Sequence, residues 1–231
     1  MSMNLSEKTI GILKNFGEIN PKIAIDAGSK IQTISLGKNI VSHVTIEEKF
    51  PKDFAIYDLP EFLNAISLFD NPSFKFADDF VTVVGSNGAS IRYFYGDRSN
   101  IFIPQKQIEM PEAKISFNLS GSQWIELRKA SNLLRVSDLS FISEDGKTLL
   151  AIAHNKSHID STHNYTIKLG KSSKKCALHV KFDSMKILPH DFKVSIAPNE
   201  NNKPTTITIN IIPAINPTFD PDTIVPSLNV K

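Results

Sequence analysis

The chain has 231 residues, of which 41% are hydrophobic and 22% charged, and its formal net charge is +2. This composition predicts a soluble globular protein with room for one large domain or two domains of about 110 residues. No apolar run approaches the roughly 18 residues of a membrane span, and polar residues interrupt any signal-peptide core. A single cysteine, Cys176, excludes an internal disulfide and a cysteine-based zinc site, so we expect an intracellular protein.

The first predicted element is an amphipathic helix from Leu5 to Phe16. At about 100° per residue its apolar side chains share one arc, while Lys8 and Lys14 lie on the opposite arc with other polar residues. The helix therefore packs one face and turns two cations outward. We expect it to open the chain without a strand before it.

Short strands with period-two alternation follow, separated by glycine turns, and Phe54 to Ile56 then leads into a second helix capped by Asp58. This helix carries Glu61 but no cation. The expected strands on either side are 22–25, 30–36, 40–46, 80–84 and 89–93. Gly85 to Gly88 reads as a hairpin turn and lacks the sequence of a phosphate-binding loop.

The second half repeats this pattern. A strand from Ile115 leads through Ser120 into a third helix that ends near Leu134, and Gln123 completes a capping box. A short fourth helix is expected to start at Asp183 and to stop before Pro189. The expected strands are 139–143, 148–153, 165–169, 192–196 and 205–212. Helix starts spaced by about sixty residues predict a doubled domain with two helices in each half.

Prolines at 104 and 111 mark a connector between the halves, because proline disfavours both helix and central strand. We expect an N-terminal domain at 1–103, an extended connector at 104–112 and a C-terminal domain at 113–231. The proline-rich stretch after Ile212 is expected to wrap loosely or fray.

The sequence offers little support for catalysis. His154, His158 and His163, with Asp160, suggest a metal cluster, but they lie in a polar connection rather than at helical spacing. Nucleophile elbows, paired cysteines and dinucleotide fingerprints are missing. We therefore expect neither an enzyme nor a cofactor or metal.

Lysine and arginine recur on the outer faces of the predicted helices. A solvated helix face explains any one of them, but three of the four helices share the feature, while the strand-rich remainder carries clusters such as Glu47-Glu48 and Asp78-Asp79. Helices placed on one surface would give a basic face and a more acidic opposite side. The cations in question are Lys8, Lys14, Arg128, Lys129, Arg135 and Lys186.

Three sequence segments together resemble the sliding clamps of T4-type bacteriophages, the DNA polymerase processivity factors. They are Leu5 to Asn20, Ala55 to Leu68, and Met185-Lys186 with Pro189. The order of the predicted elements matches that of the family up to about residue 212, and the sequence itself is similar over the first seventy residues. Asn132, where the family has a basic residue, and the proline-rich tail depart from the pattern.

The resemblance implies an α+β DNA-clamp fold, in which two similar domains, each with two helices on antiparallel sheets, assemble into a homotrimeric ring around duplex DNA. The six helix cations would face DNA without reading its sequence. A DNA polymerase C-terminal peptide would bind a pocket formed by Ile103, Ile108 and Met110, although plain packing of the connector explains these residues equally well.

The resemblance also implies subunit contacts between sheet edges near 99–103 and 165–169. The residues expected there are Ser99, Asn100, Ile101, Tyr165, Ile167 and Leu169. Further expected partners are an ATP-dependent clamp loader and late-transcription factors, in the cytoplasm of an infected bacterium. The alternatives left open are a viral structural or assembly protein and an α+β enzyme.

Overall fold

The computed structural model describes residues 2–104, 112–158, 163–197, 205–211 and 227–230. The chain divides into two compact units, residues 1–107 and 108–231, which we call unit 1 and unit 2. Among the described residues, no helix has the length and apolar character that a membrane span requires.

The described part of unit 1 contains two α-helices and eight strands. In chain order they are β1 (Ser2–Asn4), α1 (Glu7–Ile19), β2 (Ile23–Ile25), β3 (Gly28–Ile34), β4 (Ile40–Phe50), β5 (Phe54–Ile56), α2 (Leu59–Ile66), β6 (Ser73–Phe76), β7 (Phe80–Val84) and β8 (Ser90–Phe94). The strands pair antiparallel as the sheet β1-β6-β7-β8, the hairpin β3-β4 and the pair β2-β5.

Both helices of unit 1 begin at the residues that can cap them. Ser6 accepts a hydrogen bond from the Thr9 backbone N–H, and Asp58 accepts one from the Glu61 N–H. The side chains of Leu13 and Phe16 are buried on the inner face of α1, as the helical spacing predicts. The expectation that α1 opens the chain without a strand is wrong, because the three-residue β1 pairs with β6.

The described part of unit 2 contains one α-helix and eight strands. They are β9 (Ile115–Leu119), α3 (Gly121–Leu134), β10 (Asp138–Ser143), β11 (Thr148–His154), β12 (Tyr165–Lys171), β13 (Cys176–Lys181), β14 (Phe192–Ala197), β15 (Thr205–Ile211) and β16 (Ser227–Val230). One sheet has the order β12-β11-β10-β13, and β9, β14, β15 and β16 pair in sequence as antiparallel neighbours.

The two units repeat one order of elements, strand–helix–four strands–helical turn–three strands, so the predicted doubling is confirmed. The capping box of Ser120 and Gln123 at the start of α3 is also confirmed. The fourth helix is reduced to one 3-10 turn, Phe182–Ser184, with Lys181 at its N-cap position. Asp183 therefore lies inside the turn and does not cap a helix, which corrects the sequence-based prediction.

Candidate functional surfaces

Lys8 and Lys14 lie on the exposed face of α1, opposite its buried side chains. The Lys8 Nζ lies 3.6 Å from Glu47 Oε1, and both side chains are well exposed. An exposed pair of this kind contributes little stability and is screened by salt, so Lys8 can exchange this carboxylate for another anion.

Glu48 of β4 holds the first turn of α1. Its Oε1 accepts from the Ser6 backbone N–H at 2.6 Å, and its Oε2 accepts from the Thr9 hydroxyl at 2.7 Å. Burial alone would raise the pKa of Glu48, but hydrogen bonds from Ser6 and Thr9 outweigh burial and lower it. The carboxylate is therefore ionised near neutral pH and fixes the end of α1 to a strand 39 residues further along the chain.

Three cations of α3 are exposed, as the sequence predicts. Arg128 packs over the Trp124 ring at 5.8 Å and donates a hydrogen bond of 3.5 Å to the Phe182 carbonyl. Arg135 ends the helix in the left-handed conformation, with φ of 54°. At the other end, Asp191 accepts a hydrogen bond of 2.8 Å from the Gly121 N–H. The exposed cations are Arg128, Lys129 and Arg135.

Lys186 differs from the other predicted DNA-facing residues. It follows the 3-10 turn Phe182–Ser184 in irregular backbone, and it is only partly exposed. The prediction that Lys186 lies on a helix face is therefore wrong.

Of the connector at 104–112, the structure describes residues 104 and 112. Ile103 is partly buried against Ala24, Ala55 and Ile101, whereas Ile108 and Met110 lie outside the described residues. The Gln32 side-chain amide reaches the Pro104 carbonyl at 3.5 Å, so the start of the connector runs beside β3.

Two exposed apolar side chains, Leu36 and Phe102, were missed by sequence reasoning, and we call them the apolar patch. Leu36, in the turn between β3 and β4, is 76% exposed, and Phe102 is 54% exposed. Lys38 Nζ lies 4.2 Å from the centre of the Phe102 ring and so links the turn to the connector. The signal was present as a leucine at a hairpin turn, where polar residues are usual.

The Ser35 hydroxyl shapes this turn. It accepts hydrogen bonds from the Asn39 and Ile40 backbone N–H groups at 3.2 and 3.0 Å, while Lys38 adopts a left-handed φ of 56°. A turn fixed in this way holds Leu36 away from the core. The exposure of Leu36 thus follows from the backbone of the hairpin.

The predicted subunit-contact residues occupy two different kinds of structure. Tyr165, Ile167 and Leu169 lie on β12, one of the two edge strands of its sheet within the described residues, and the Tyr165 hydroxyl donates to Glu126 of α3. Ser99 and Asn100 instead lie in a 3-10 turn that Asp97 caps. The expected pairing strand near 99–103 is therefore wrong at the level of secondary structure, and Ile101 is buried.

Two histidines share one hydroxyl on the sheet of unit 2. The Ser140 Oγ lies 2.6 Å from His154 Nε2 and 2.6 Å from His179 Nδ1. Burial, followed by the charge of Lys156, lowers the pKa of His179. His163 is exposed, and Asp160 and the side chain of His158 lie outside the described residues. In the described part of the chain, no group of three potential ligands could hold a metal.

The amino-acid sequence matches known proteins over most of its length. A family model described as DNA polymerase processivity factor matches residues 5–77. The sliding clamp of Vibrio phage KVP40 is 32% identical over 85% of this chain and 91% of that protein. The sliding clamp of Escherichia phage RB69 is 26% identical, over 84% of this chain and 87% of that protein.

Solved structures with little sequence similarity share the fold. Archaeoglobus fulgidus PCNA, solved with the C-terminal region of FEN-1, has a TM-score of 0.67 at 11% identity and covers 99% of this chain and 96% of its own. The PCNA2-PCNA3 complex from Sulfolobus tokodaii has a TM-score of 0.65 at 13% identity, over 98% and 97% of the two chains. The fold is thus the clamp fold.

Proposed function

The chain belongs to the sliding clamps of T4-type bacteriophages, and we propose that it closes a three-subunit ring around duplex DNA and tethers the replicative polymerase. The relationship to phage clamps over most of both chains is the observation that carries this proposal. The doubled module with outward cations on its helices supports it independently. A viral structural protein or an α+β enzyme would not account for that combination.

A ring of this kind acts through topology and needs no catalytic residue. It remains on DNA because it encloses the duplex, so its inner surface requires only weak attraction to phosphates. Tight reading of base edges would stop it from sliding. Lys8, Lys14, Arg128, Lys129 and Arg135 are exposed point charges of the required kind. Lys186 contributes less, since it is partly buried.

The ring requires two sheet edges that pair between copies. β12 offers one edge in unit 2, and β8 offers the other in unit 1, where it ends the sheet β1-β6-β7-β8. Ser99, Asn100 and Ile101 follow β8 closely enough to flank such a contact. Head-to-tail pairing of two different edges closes a ring when the rotation between copies is a whole fraction of a turn, and it covers the edges of β8 and β12.

The polymerase peptide would dock on the apolar patch of Leu36 and Phe102, extended by Ile103, Ile108 and Met110. Exposed apolar side chains such as Leu36 and Phe102 suit a short peptide that contributes one or two hydrophobic anchors. We further infer an ATP-dependent loader that opens the ring, contacts with late-transcription factors, and a location in the cytoplasm of the infected host.

Synthesis on a long primed template tests the proposal. The variant Lys14→Glu, Lys129→Glu, Lys186→Glu should shorten the products made with polymerase and loader, because three attractions to phosphate become repulsions. The matched control, Lys49→Glu, Lys75→Glu, Lys193→Glu, makes the same charge change on exposed strand residues. If both variants gave wild-type products at low salt, these helix faces would not meet DNA.

A further inference from the structure

Unit 2 carries a dense group of lysines that the helix faces do not include. From Lys147 to Lys181 the sequence contains seven lysines and a single acidic residue, Asp160. The expected acidic surface opposite the helices is therefore absent from this segment. All seven side chains are exposed, and five of them form what we call the lysine surface: Lys147, Lys168, Lys171, Lys174 and Lys175.

Two turns bring most of the lysine surface together at one end of the sheet. The Ser172 N–H donates to the Lys147 carbonyl at 2.8 Å, and Lys171 pairs with Thr148 across β12 and β11. Gly146 has a φ of 69°, and a Cβ there would lie 3.2 Å from the Lys175 backbone nitrogen. The turns after β10 and β12 are thus in contact, so lysines distant in sequence become neighbours.

Strand register places Lys168 on the face turned away from α3. Tyr165, which bonds to Glu126 of α3, pairs with the buried Ala153, whereas Lys168 pairs with Leu150. Residues of opposite parity on a strand lie on opposite faces of the sheet. The lysine surface therefore extends along the face opposite the helix cations.

These charges are available to an external anion. Within 112–158 and 163–197, no carboxylate lies at ion-pair distance from any of the five lysines. Asp145, in the neighbouring turn, accepts from the Lys147 and Thr148 backbone N–H groups at 2.8 Å each. Its carboxylate is thereby directed at backbone, although exposed Glu144 remains beside it.

The surroundings favour phosphate over an acidic polypeptide. Peptide docking depends on apolar or aromatic anchors. In the described chain, every large apolar side chain that is more than half exposed lies outside residues 136–197. Binding of a nucleic-acid backbone requires only distributed cations.

We propose that the lysine surface is a second contact surface for the phosphate backbone of nucleic acid, separate from the helix faces. It goes beyond the proposed function, because a duplex enclosed by a ring would meet the helices. The lysine surface would hold nucleic acid that lies outside the ring, before it is loaded or after it emerges.

Duplex DNA of about 30 base pairs, fluorescently labelled and blocked by streptavidin at both ends, tests this proposal. Blocked ends prevent threading through a closed ring, so anisotropy reports outer contacts. The variant Lys168→Gln, Lys171→Gln, Lys174→Gln, Lys175→Gln should bind at least about tenfold more weakly at about 50 mM salt. The slope of log affinity against log salt should fall by up to about 3.6, at about 0.9 for each of the four contacts.

The control variant, Lys30→Gln, Lys49→Gln, Lys75→Gln, Lys193→Gln, removes the same charge from exposed positions elsewhere and should bind like wild type. Equal binding by wild type and the lysine-surface variant would overturn the proposal. So would loss of labelled polyglutamate binding with DNA binding intact, which would identify an acidic protein partner. Failure of the proposed function would be distinguishable from this result. The variant Lys14→Glu, Lys129→Glu, Lys186→Glu would then support DNA synthesis like wild type, independently of how the blocked duplex binds.

Discussion

Units 1 and 2 repeat the same elements but use their surface charges differently. In unit 1, Lys52 Nζ lies 2.9 Å from Asp78, Arg98 pairs with Asp26, and Lys8 faces Glu47. In the described part of unit 2 the ion pair Lys181–Asp138 spans 2.7 Å, but the lysine surface has no such partner. Unit 1 also carries the apolar patch of Leu36 and Phe102.

The comparison shows which positions the fold constrains. Leu13 in α1 and Leu127 in α3 are both buried, because each inward position must fill a core. Outward positions carry no such requirement and can diverge after a duplication. We propose that the apolar patch of unit 1 serves peptide binding and that the lysine surface of unit 2 serves a polyanion.

The largest effect should come from disrupting β12, the edge strand that we propose unit 2 contributes to the subunit interface. Backbone N–H groups point to alternate sides along a strand. One of the substitutions Thr166→Pro and Ile167→Pro therefore removes a hydrogen-bond donor to β11, and the other removes a donor at the free edge. We expect one of Thr166→Pro and Ile167→Pro to stay folded and to sediment as a monomer. Circular dichroism and fluorescence of the single tryptophan, Trp124, identify the folded variant.

Two folded proline variants that both sediment as trimers would reject β12 as the interface. If both prolines unfold the chain, Ile167→Glu places a charge on the same strand with little effect on its backbone. A trimer of that variant at low micromolar concentration would count equally against the interface.

The apolar patch of unit 1 should account for peptide binding. Changing Leu36 and Phe102 to Ser should weaken the polymerase C-terminal peptide by about 1 to 3 kcal/mol for the pair, because both anchors are lost. Leu68→Ser is the control, since Leu68 is 72% exposed at the end of α2. Titration calorimetry that showed equal losses for control and patch variants would place the pocket elsewhere.

Acid should destabilise unit 2 before unit 1. Because the pKa of His179 is lowered in the folded chain, the unfolded chain takes up the proton first as pH falls through about 6.5. The stability that this difference contributes begins to fall near pH 6.5, and the loss is complete once the pH lies below the pKa of His179 in the folded chain. Because a single proton is involved, the free energy of unfolding can fall by at most about 1.4 kcal/mol per pH unit. In unit 1 the group concerned is Glu48, whose pKa is lowered in the folded chain. The stability that its carboxylate contributes is therefore lost only below about pH 4.3.

Urea unfolding followed by Trp124 fluorescence, between about pH 8 and pH 5, measures the effect in unit 2. His179→Asn keeps a hydrogen-bonding group near Ser140 and removes the titration, so its stability should depend less on pH over this range. An identical pH dependence in wild type and variant would show that His179 is not the group responsible.

The smallest effect concerns the charge pairs themselves. Lys52→Ala should lower the free energy of unfolding only slightly, since Asp78 is fully exposed and its pair with Lys52 is screened by solvent. Lys171→Ala should cost less still, because in the described structure Lys171 has no ion-pair partner to lose. Urea denaturation of both variants checks the order, and a larger loss for Lys171→Ala would contradict it.

Local signals in the sequence were sufficient to predict the helices and most strands. Ser120 and Gln123 predict the start of α3 because both halves of a capping box lie within four residues. The three-residue β1 escaped prediction because its pairing with β6 is not visible in so short a segment. The same holds for Phe182–Ser184, where the helical signal supports only one turn.

The functional surfaces divide in the same way. The outward cations of α1 and α3 could be predicted, since helical periodicity alone determines which side chains share a face. Leu36 and Phe102, which are far apart in sequence, could not be predicted as neighbours, because the turn after β3 and the start of the connector meet only in the folded chain.

The sequence by itself determined the doubled module, its helix caps, the outward cations and the family, because these depend on residue spacing of a few positions or on similarity along the chain. Tertiary structure decided which edges remain open, where the apolar patch forms and which lysines gather on one face. Those features depend on strand register and on contacts such as Ser172 with Lys147, and register is set by packing of the whole sheet.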